Sequence, residues 1–155
     1  MQKIIITAGG TSEKIDNVRK ITNSSSGKLG MLIANYLLEE NDKLMIYYVC
    51  SKNSLRPTDK RIKVIEINGT IELKKTIENL LINENIDYSI HCMAVADYMT
   101  DYITTIEKIK ESIIKHNNVN EAFECLEVIG GNKISSDKDN LVIVLKPTPK
   151  IISII

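Results

Sequence analysis

Ile4-Ile5-Ile6-Thr7-Ala8-Gly9-Gly10-Thr11 decides the fold. A β-branched apolar run ends abruptly in two glycines, the pattern of a buried parallel strand feeding a tight turn. A second small-residue stretch, Asn23-Ser24-Ser25-Ser26-Gly27-Lys28-Leu29-Gly30, precedes an amphipathic segment. Two such turns at one side of a sheet would offer backbone N–H groups to an anion, above all a phosphate.

Outward from this stretch, strand and helix patterns alternate. Residues 3–8 read as the first strand. Ser24, Ser25 and Ser26 are candidate N-caps of a helix running to about residue 40, with Leu29, Leu32, Ile33, Tyr36 and Leu37 on one face. Residues 44–49 and 61–67 read as strands, 70–81 as a helix carrying Ile71, Leu73, Ile77 and Leu80, and 87–93 as a fourth strand. This order predicts an α/β, Rossmann-like fold: a mainly parallel sheet flanked by helices. Ligands of such sheets bind beyond the carboxyl ends of the strands. Gly9–Thr11 and Ala94–Asp97 both lie at such ends, so they can face one site.

After Asp97 the pattern weakens. Residues 99–132 are polar and poorly periodic, with a short helix expected at 106–114 and a strand at 123–129. A clearer strand spans 141–146, after a turn at 137–140 and before Pro147 and Pro149. Residues 150–155 read as the first turn of an exposed apolar helix cut short, which predicts a chain truncated at its C-terminus.

The chain has 155 residues, enough for one domain with a core, and 20 basic residues balance 20 acidic ones. General attraction to nucleic acid or membrane surfaces is therefore not expected. Cys50, Cys92 and Cys125 are odd in number and widely spaced. They read as buried free thiols in a reducing cytoplasm. No apolar run reaches membrane-spanning length and no signal-peptide layout is seen, so a cytoplasmic protein is expected.

Taken singly, the chemistry-bearing segments are ambiguous. Gly9-Gly10-Thr11 lacks the spaced glycines of a dinucleotide fingerprint and equally suits a plain turn. Ser26-Gly27-Lys28 resembles a P-loop core, but Thr22 stands where its first glycine belongs and Leu29 where its Mg²⁺-binding hydroxyl belongs. Asn23 is either a loop residue or an amide that orients a carboxylate or acyl phosphate. Asp97 is either a cap or an acid for a ribose hydroxyl or a metal. Lys133, near Gly130 and Gly131, is either a solvated loop lysine or a flap lysine that closes on phosphates. His91 reads as structural, and no His/Cys cluster has zinc-like spacing. A short-chain-dehydrogenase-like oxidoreductase would need a helical Tyr-x-x-x-Lys pair; the single such spacing, Tyr48 to Lys52, runs off a strand.

Together the segments say more. Thr7-Ala8-Gly9-Gly10-Thr11-x-Glu13-x-Ile15-Asp16-x-Val18-Arg19-x-Ile21-Thr22-Asn23-x-Ser25-Ser26-Gly27-Lys28-Leu29-Gly30 closely resembles the signature of the phosphopantothenate–cysteine ligases, the phosphopantothenoylcysteine synthetases of coenzyme A synthesis. Ala94-Val95-Ala96-Asp97-Tyr98 resembles that family's second motif. Lys133-Ile134-Ser135-Ser136, with residues 141–146 and Pro149-Lys150-Ile151, resembles its third. The departures are Met93, where many bacterial members have alanine, and the two serines after Ile134, where fused enzymes carry more lysines.

The resemblance implies a ligase that activates the carboxylate of 4′-phosphopantothenate with a nucleoside triphosphate, CTP ahead of ATP, and Mg²⁺. The amine of L-cysteine then attacks the acyl-nucleotide. It implies nucleotide contacts at Gly9, Gly10, Thr11, Ala94, Asp97 and Lys133, substrate contacts at Asn23, Ser25, Ser26 and Gly27, and catalytic roles for Asn23 and Lys133. Metal ligands are not assigned. A homodimer is implied, and a stand-alone synthetase served by a separate decarboxylase. The expected organisation is one synthetase domain: a nucleotide-binding core at 1–98, a dimerisation arm at 99–132, and the flap lysine with its following strand at 133–155. The alternative is a catalytically incomplete nucleotide-binding fragment, since the expected C-terminal segment is missing.

Overall fold

The structure, a computed structural model, describes residues 1–116, 118–130, 133–137 and 140–155. Its elements are β1 (Gln2–Ala8), β2 (Ser12–Lys14), β3 (Lys20–Thr22), α1 (Lys28–Glu40), β4 (Leu44–Ser51), β5 (Ile62–Ile67), α2 (Thr70–Asn83), β6 (Tyr88–His91), β7 (Tyr98–Thr105), α3 (Ile106–Lys115), α4 (Val119–Glu124) and β8 (Leu141–Pro147), then a 3-10 turn at Ile151–Ser153. They fall into two compact units. One comprises Met1–Glu13, Ile21–Asp97 and Thr148–Ile155; the other comprises Lys14–Lys20 and Tyr98–Pro147.

In the first unit a fully parallel sheet has the order β5-β4-β1-β6. Its two central strands are covered on both faces, so β1 and β4 read as continuous apolar runs rather than alternating ones. Ile4, Ile6 and Ala8 share one buried cluster with Ala34 and Leu38 of α1. Ile5 joins the other, with Leu73, Ile77 and Leu80 of α2. The α/β, Rossmann-like class expected from the sequence is the fold observed.

Several local expectations need correction. The buried face of α1 is Gly30, Ala34 and Leu38, flanked by half-buried Ile33 and Leu37. Leu29, Leu32 and Tyr36 are 62%, 51% and 62% exposed, so the predicted stripe was rotated about the helix axis. Small residues let the helix approach: a Cβ on Gly30 would lie 2.8 Å from that of Ala8. The N-cap of α1 is Gly27, at φ +75°, not a serine; Ser26 Oγ instead accepts the Lys28 N–H at 3.3 Å. In α2 buried Thr70 replaces exposed Ile71 on the core face. Its start is held by Glu13, whose Oε1 accepts both the N–H and the hydroxyl of Thr70 at 2.7 Å. Of the three free thiols, Cys50 alone is buried; Cys92 is half-buried and Cys125 exposed. The terminal residues are only partly an exposed stub: Ile151 is 3% exposed within the α2-side cluster, while Ile152 is 68% exposed.

In the second unit β7 and β8 form an antiparallel ribbon, and β7 was missed in the sequence. Its partner lies far along the chain, and its sequence, Tyr98-Met99-Thr100-Asp101-Tyr102-Ile103-Thr104-Thr105, carries no regular apolar alternation. The strand expected at 123–129 is instead α4 and an irregular segment; the Ile129 N–H donates one bond to Ile103 O at 2.6 Å. Thr105 and Asn118 cap α3 and α4. Part of the turn at 137–140 and of the glycine flap preceding Lys133 lies outside the described residues.

Candidate functional site

The turn after β1 brings Gly9, Gly10, Asn23 and Gly27 together. Gly9 sits at φ +86°, a conformation that side chains rarely adopt. A Cβ there would overlap Ser54 Oγ at 1.9 Å, and one on Gly27 would lie 3.2 Å from Gly9 N. A Cβ on Gly10 would lie 2.0 Å from the backbone oxygen of Asn23. These glycines therefore permit three backbone segments to meet at the carboxyl end of the sheet. Gly10 also bridges Ala94 in parallel fashion. No acidic residue stands in the first turn of α1, so its positive end is not neutralised locally.

The side chain of Asn23 is half-buried and makes no hydrogen bond among the described residues, while its backbone N–H donates to Thr11 O at 3.1 Å. Its amide thus has both a donor and an acceptor to give. Ser25 is exposed, and Ser26 is engaged at the start of α1. Thr11 differs from expectation. Its N–H donates to Ala94 O at 3.1 Å and its Oγ1 accepts from Ala96 N at 2.8 Å. In this arrangement its backbone N–H is not offered to a ligand; Thr11 instead ties the two strand ends together.

Beyond β6 lies a cavity of about 230 Å³, bordered by His91, Met93, Ala96, Asp97, Thr148 and Lys150 among others. Asp97 is exposed at its rim, with Lys150 Nζ at 2.7 Å. Thr148 closes the wall by donating its hydroxyl to Ala96 O at 2.5 Å and its N–H to Asp97 O at 2.9 Å. Burial pushes the Cys50 and Cys92 thiols up, away from thiolate chemistry. Lys133 belongs to the second unit and is exposed. There the adjacent Ile134 is gripped by Asp16, buried with 1% of its side chain exposed, and by Arg19.

The family model of the DNA/pantothenate metabolism flavoprotein C-terminal domain matches residues 1–133. The chain belongs to this family. A cysteine/cysteine sulfinic acid decarboxylase from an unknown prokaryotic organism is 33% identical over 109 residues, covering 70% of this chain and 29% of that protein. The coenzyme A biosynthesis bifunctional protein CoaBC of Escherichia coli K12 is 36% identical over 108 residues, covering 70% and 25%. The chain thus spans roughly a quarter of the length of these curated relatives. The crystal structure of the DNA/pantothenate metabolism flavoprotein from Streptococcus pneumoniae is 35% identical, with a TM-score of 0.79, covering 99% of this chain and 63% of that one.

Within this flavoprotein C-terminal domain, sequence reasoning missed Ser51, Ser54, Thr148 and Lys150, and it gave His91 no role. Ser51 and Ser54 lie over Gly9, their hydroxyls 2.6 Å apart, and the Gly10 N–H approaches Ser51 Oγ at 3.4 Å. The signal was available, since β4 also ends at the ligand side of a parallel sheet. Tyr48, of the Tyr48–Lys52 spacing, is fully buried and donates its hydroxyl to Leu55 O at 3.0 Å.

Proposed function

We propose that this chain is a phosphopantothenate–cysteine ligase domain. It joins 4′-phosphopantothenate to L-cysteine through an acyl-nucleotide, with release of pyrophosphate and then nucleoside monophosphate. What carries this reading is the unengaged amide of Asn23, held by the backbone against Gly10 in a glycine-lined turn. An anionic phosphate suits the glycine turn and the start of α1. The Asn23 amide can then hold the substrate carboxylate through its N–H₂ and align it for attack on the α-phosphate. Ser25, Ser26 and Gly27 border the same turn, and Ala94 and Asp97 lie on the nucleotide side. Lys133 supplies a cation for charge that develops on the phosphates. Positioning and electrostatics suffice for both steps, and no nucleophilic side chain is required.

CTP is the favoured cosubstrate. Among the described residues no three His, Cys, Asp or Glu side chains cluster as a cation cage. Mg²⁺ would therefore be held chiefly by nucleotide phosphates and water, and no step above is routed through it. The homodimer, the separate decarboxylase partner and the cytoplasmic location belong to the same proposal. Among the described residues no helix is long and apolar enough to cross a membrane. Mass spectrometry of a mixture of chain, 4′-phosphopantothenate, L-cysteine, CTP or ATP, and Mg²⁺ tests the reading. Phosphopantothenoylcysteine should accumulate; its absence with both nucleotides, from folded protein, contradicts the assignment.

A further inference from the structure

His91 ends β6, directly opposite Thr7 in the parallel pairing with β1. Its Nδ1 lies 2.7 Å from Thr7 Oγ1. Thr7 is buried, and its Oγ1 also accepts the N–H of Met93 at 3.3 Å. Among the described residues, the hydroxyl proton of Thr7 has one acceptor within reach, His91 Nδ1. If Nδ1 carried a proton, two donors would face each other and a buried hydroxyl would lose its acceptor, which costs more than an ordinary hydrogen bond gains. Nδ1 is therefore unprotonated and the ring is neutral, with its proton on Nε2. Burial acts in the same direction, since it disfavours the imidazolium and lowers the pKa of His91.

The opposite edge of the ring is not used internally. His91 makes no other hydrogen bond among the described residues, and Nε2 is not among the sealed, unpartnered polar atoms. It is open to solvent, on a side chain that borders the cavity beyond β6. The rest of the lining is mixed: Met93, Val95 and Ile151 form its apolar part, Thr148 is polar, and Asp97 and Lys150 at the rim pair with each other. At about 230 Å³ it is smaller than the roughly 300–1,000 Å³ of sites for whole drug-sized ligands. One neutral donor beside the apolar side chains of Met93, Val95 and Ile151, with the rim charges already paired, suits a flat uncharged ring bearing a carbonyl or ring-nitrogen acceptor. It suits a phosphate less well, because the cation at the cavity rim, Lys150, is already paired with Asp97, whose carboxylate would repel a dianion.

We propose that His91 is a nucleobase-binding residue, donating Nε2–H to an acceptor on the base of the nucleotide cosubstrate, with Thr7 fixing the tautomer that makes this possible. This deepens the ligase reading and rests on it for the identity of the ligand.

The test combines two measurements on the intact chain. Long-range ¹⁵N–¹H spectra of the histidine rings report the tautomer: Nε2 protonated and Nδ1 bare is expected, and a proton on Nδ1 overturns the proposal. Calorimetric titration with CTP, ATP and inorganic tripolyphosphate then reports the role. His91→Asn keeps an acceptor near Thr7 and removes the far donor; His91→Gln places a donor at the Nε2 position. His91→Asn should weaken binding of the preferred nucleotide about tenfold, the size of one lost hydrogen bond to a ligand. His91→Gln should restore most of it, and tripolyphosphate should bind all forms alike. Equal nucleotide affinity in folded wild-type and His91→Asn chains overturns the proposal alone, as does an equal loss for tripolyphosphate. Wild-type chain that binds neither nucleotide overturns the ligase reading and this proposal with it. The wild-type tautomer stands as a test even if a variant fails to fold.

Discussion

The carboxylate of Asp16 accepts the backbone N–H of Ile134, 118 residues away in sequence, at 3.1 Å. Arg19 completes the grip, donating to Asp16 Oδ2 and to Ile134 O, each at 2.8 Å. One residue next to Lys133 is thus held by both its backbone donor and its backbone acceptor. Asp16→Asn should loosen this segment, seen as faster amide exchange at Ile134 with the α/β sheet unaffected. Unchanged exchange would show that the segment is held by other contacts.

The same pair makes a prediction about acid. Hydrogen bonds from the Arg19 side chain and backbone hold the Asp16 carboxyl well below its ordinary 3.8. Because the folded-state value is depressed, the stabilisation is fully present above the ordinary carboxylate range. It is lost as pH falls from there through the folded value. Urea unfolding should therefore separate wild type from Asp16→Asn at about pH 7, with the gap narrowing below about pH 4. A gap that is constant through this range would exclude the linkage.

Glu13 carries the start of α2. Truncating it to alanine leaves the N–H and hydroxyl of Thr70 buried without their acceptor. The expected loss is about 1–3 kcal/mol by chemical denaturation. Both bonds go to the same oxygen, so Glu13→Gln keeps an acceptor for both and should cost less. Equal costs would mean that charge, rather than the acceptor, is what α2 needs.

Gly30 sets the distance between α1 and β1. An added methyl at Gly30 meets Ala8 Cβ at 2.8 Å, so Gly30→Ala should destabilise the sheet by about 1–3 kcal/mol through overpacking. Adding Ala8→Gly should recover part of the loss, a coupling that a double-mutant cycle measures. Strict additivity would show that this contact does not limit the approach of α1.

Asn23→Asp separates binding from chemistry. Nucleotide should still bind, because the glycine turn is untouched, while turnover falls as an added negative charge replaces the amide donor beside the substrate carboxylate. Unchanged turnover would remove Asn23 from the mechanism.

Legibility in the sequence followed the physics of each segment. Residues of β1 and β4 are buried on both faces, so their apolar runs announced a parallel sheet. The buried face of α1 was misread because its contact is made by Gly30 and Ala34, which carry little hydrophobic signal, while Leu29 and Tyr36 remain exposed. The ribbon strand β7 was hidden because its pairing partner β8 lies far along the chain, beyond α3 and α4. At the site, glycines and Asn23 stood out by type. Thr11 could not be resolved the same way, since a backbone N–H committed to Ala94 looks in sequence like any other. His91 gained its interest from register: only the pairing with Thr7 defines which ring nitrogen carries the proton.

The central claim is carboxylate activation by a nucleotide, and pyrophosphate release in the absence of cysteine measures it most directly. With 4′-phosphopantothenate, Mg²⁺ and CTP, the chain should release pyrophosphate, limited to about one equivalent per site while the acyl-nucleotide stays bound. Added cysteine should convert this burst into continuous turnover. Folded chain that binds CTP and 4′-phosphopantothenate yet releases no pyrophosphate with CTP or ATP, with or without cysteine, would contradict the account.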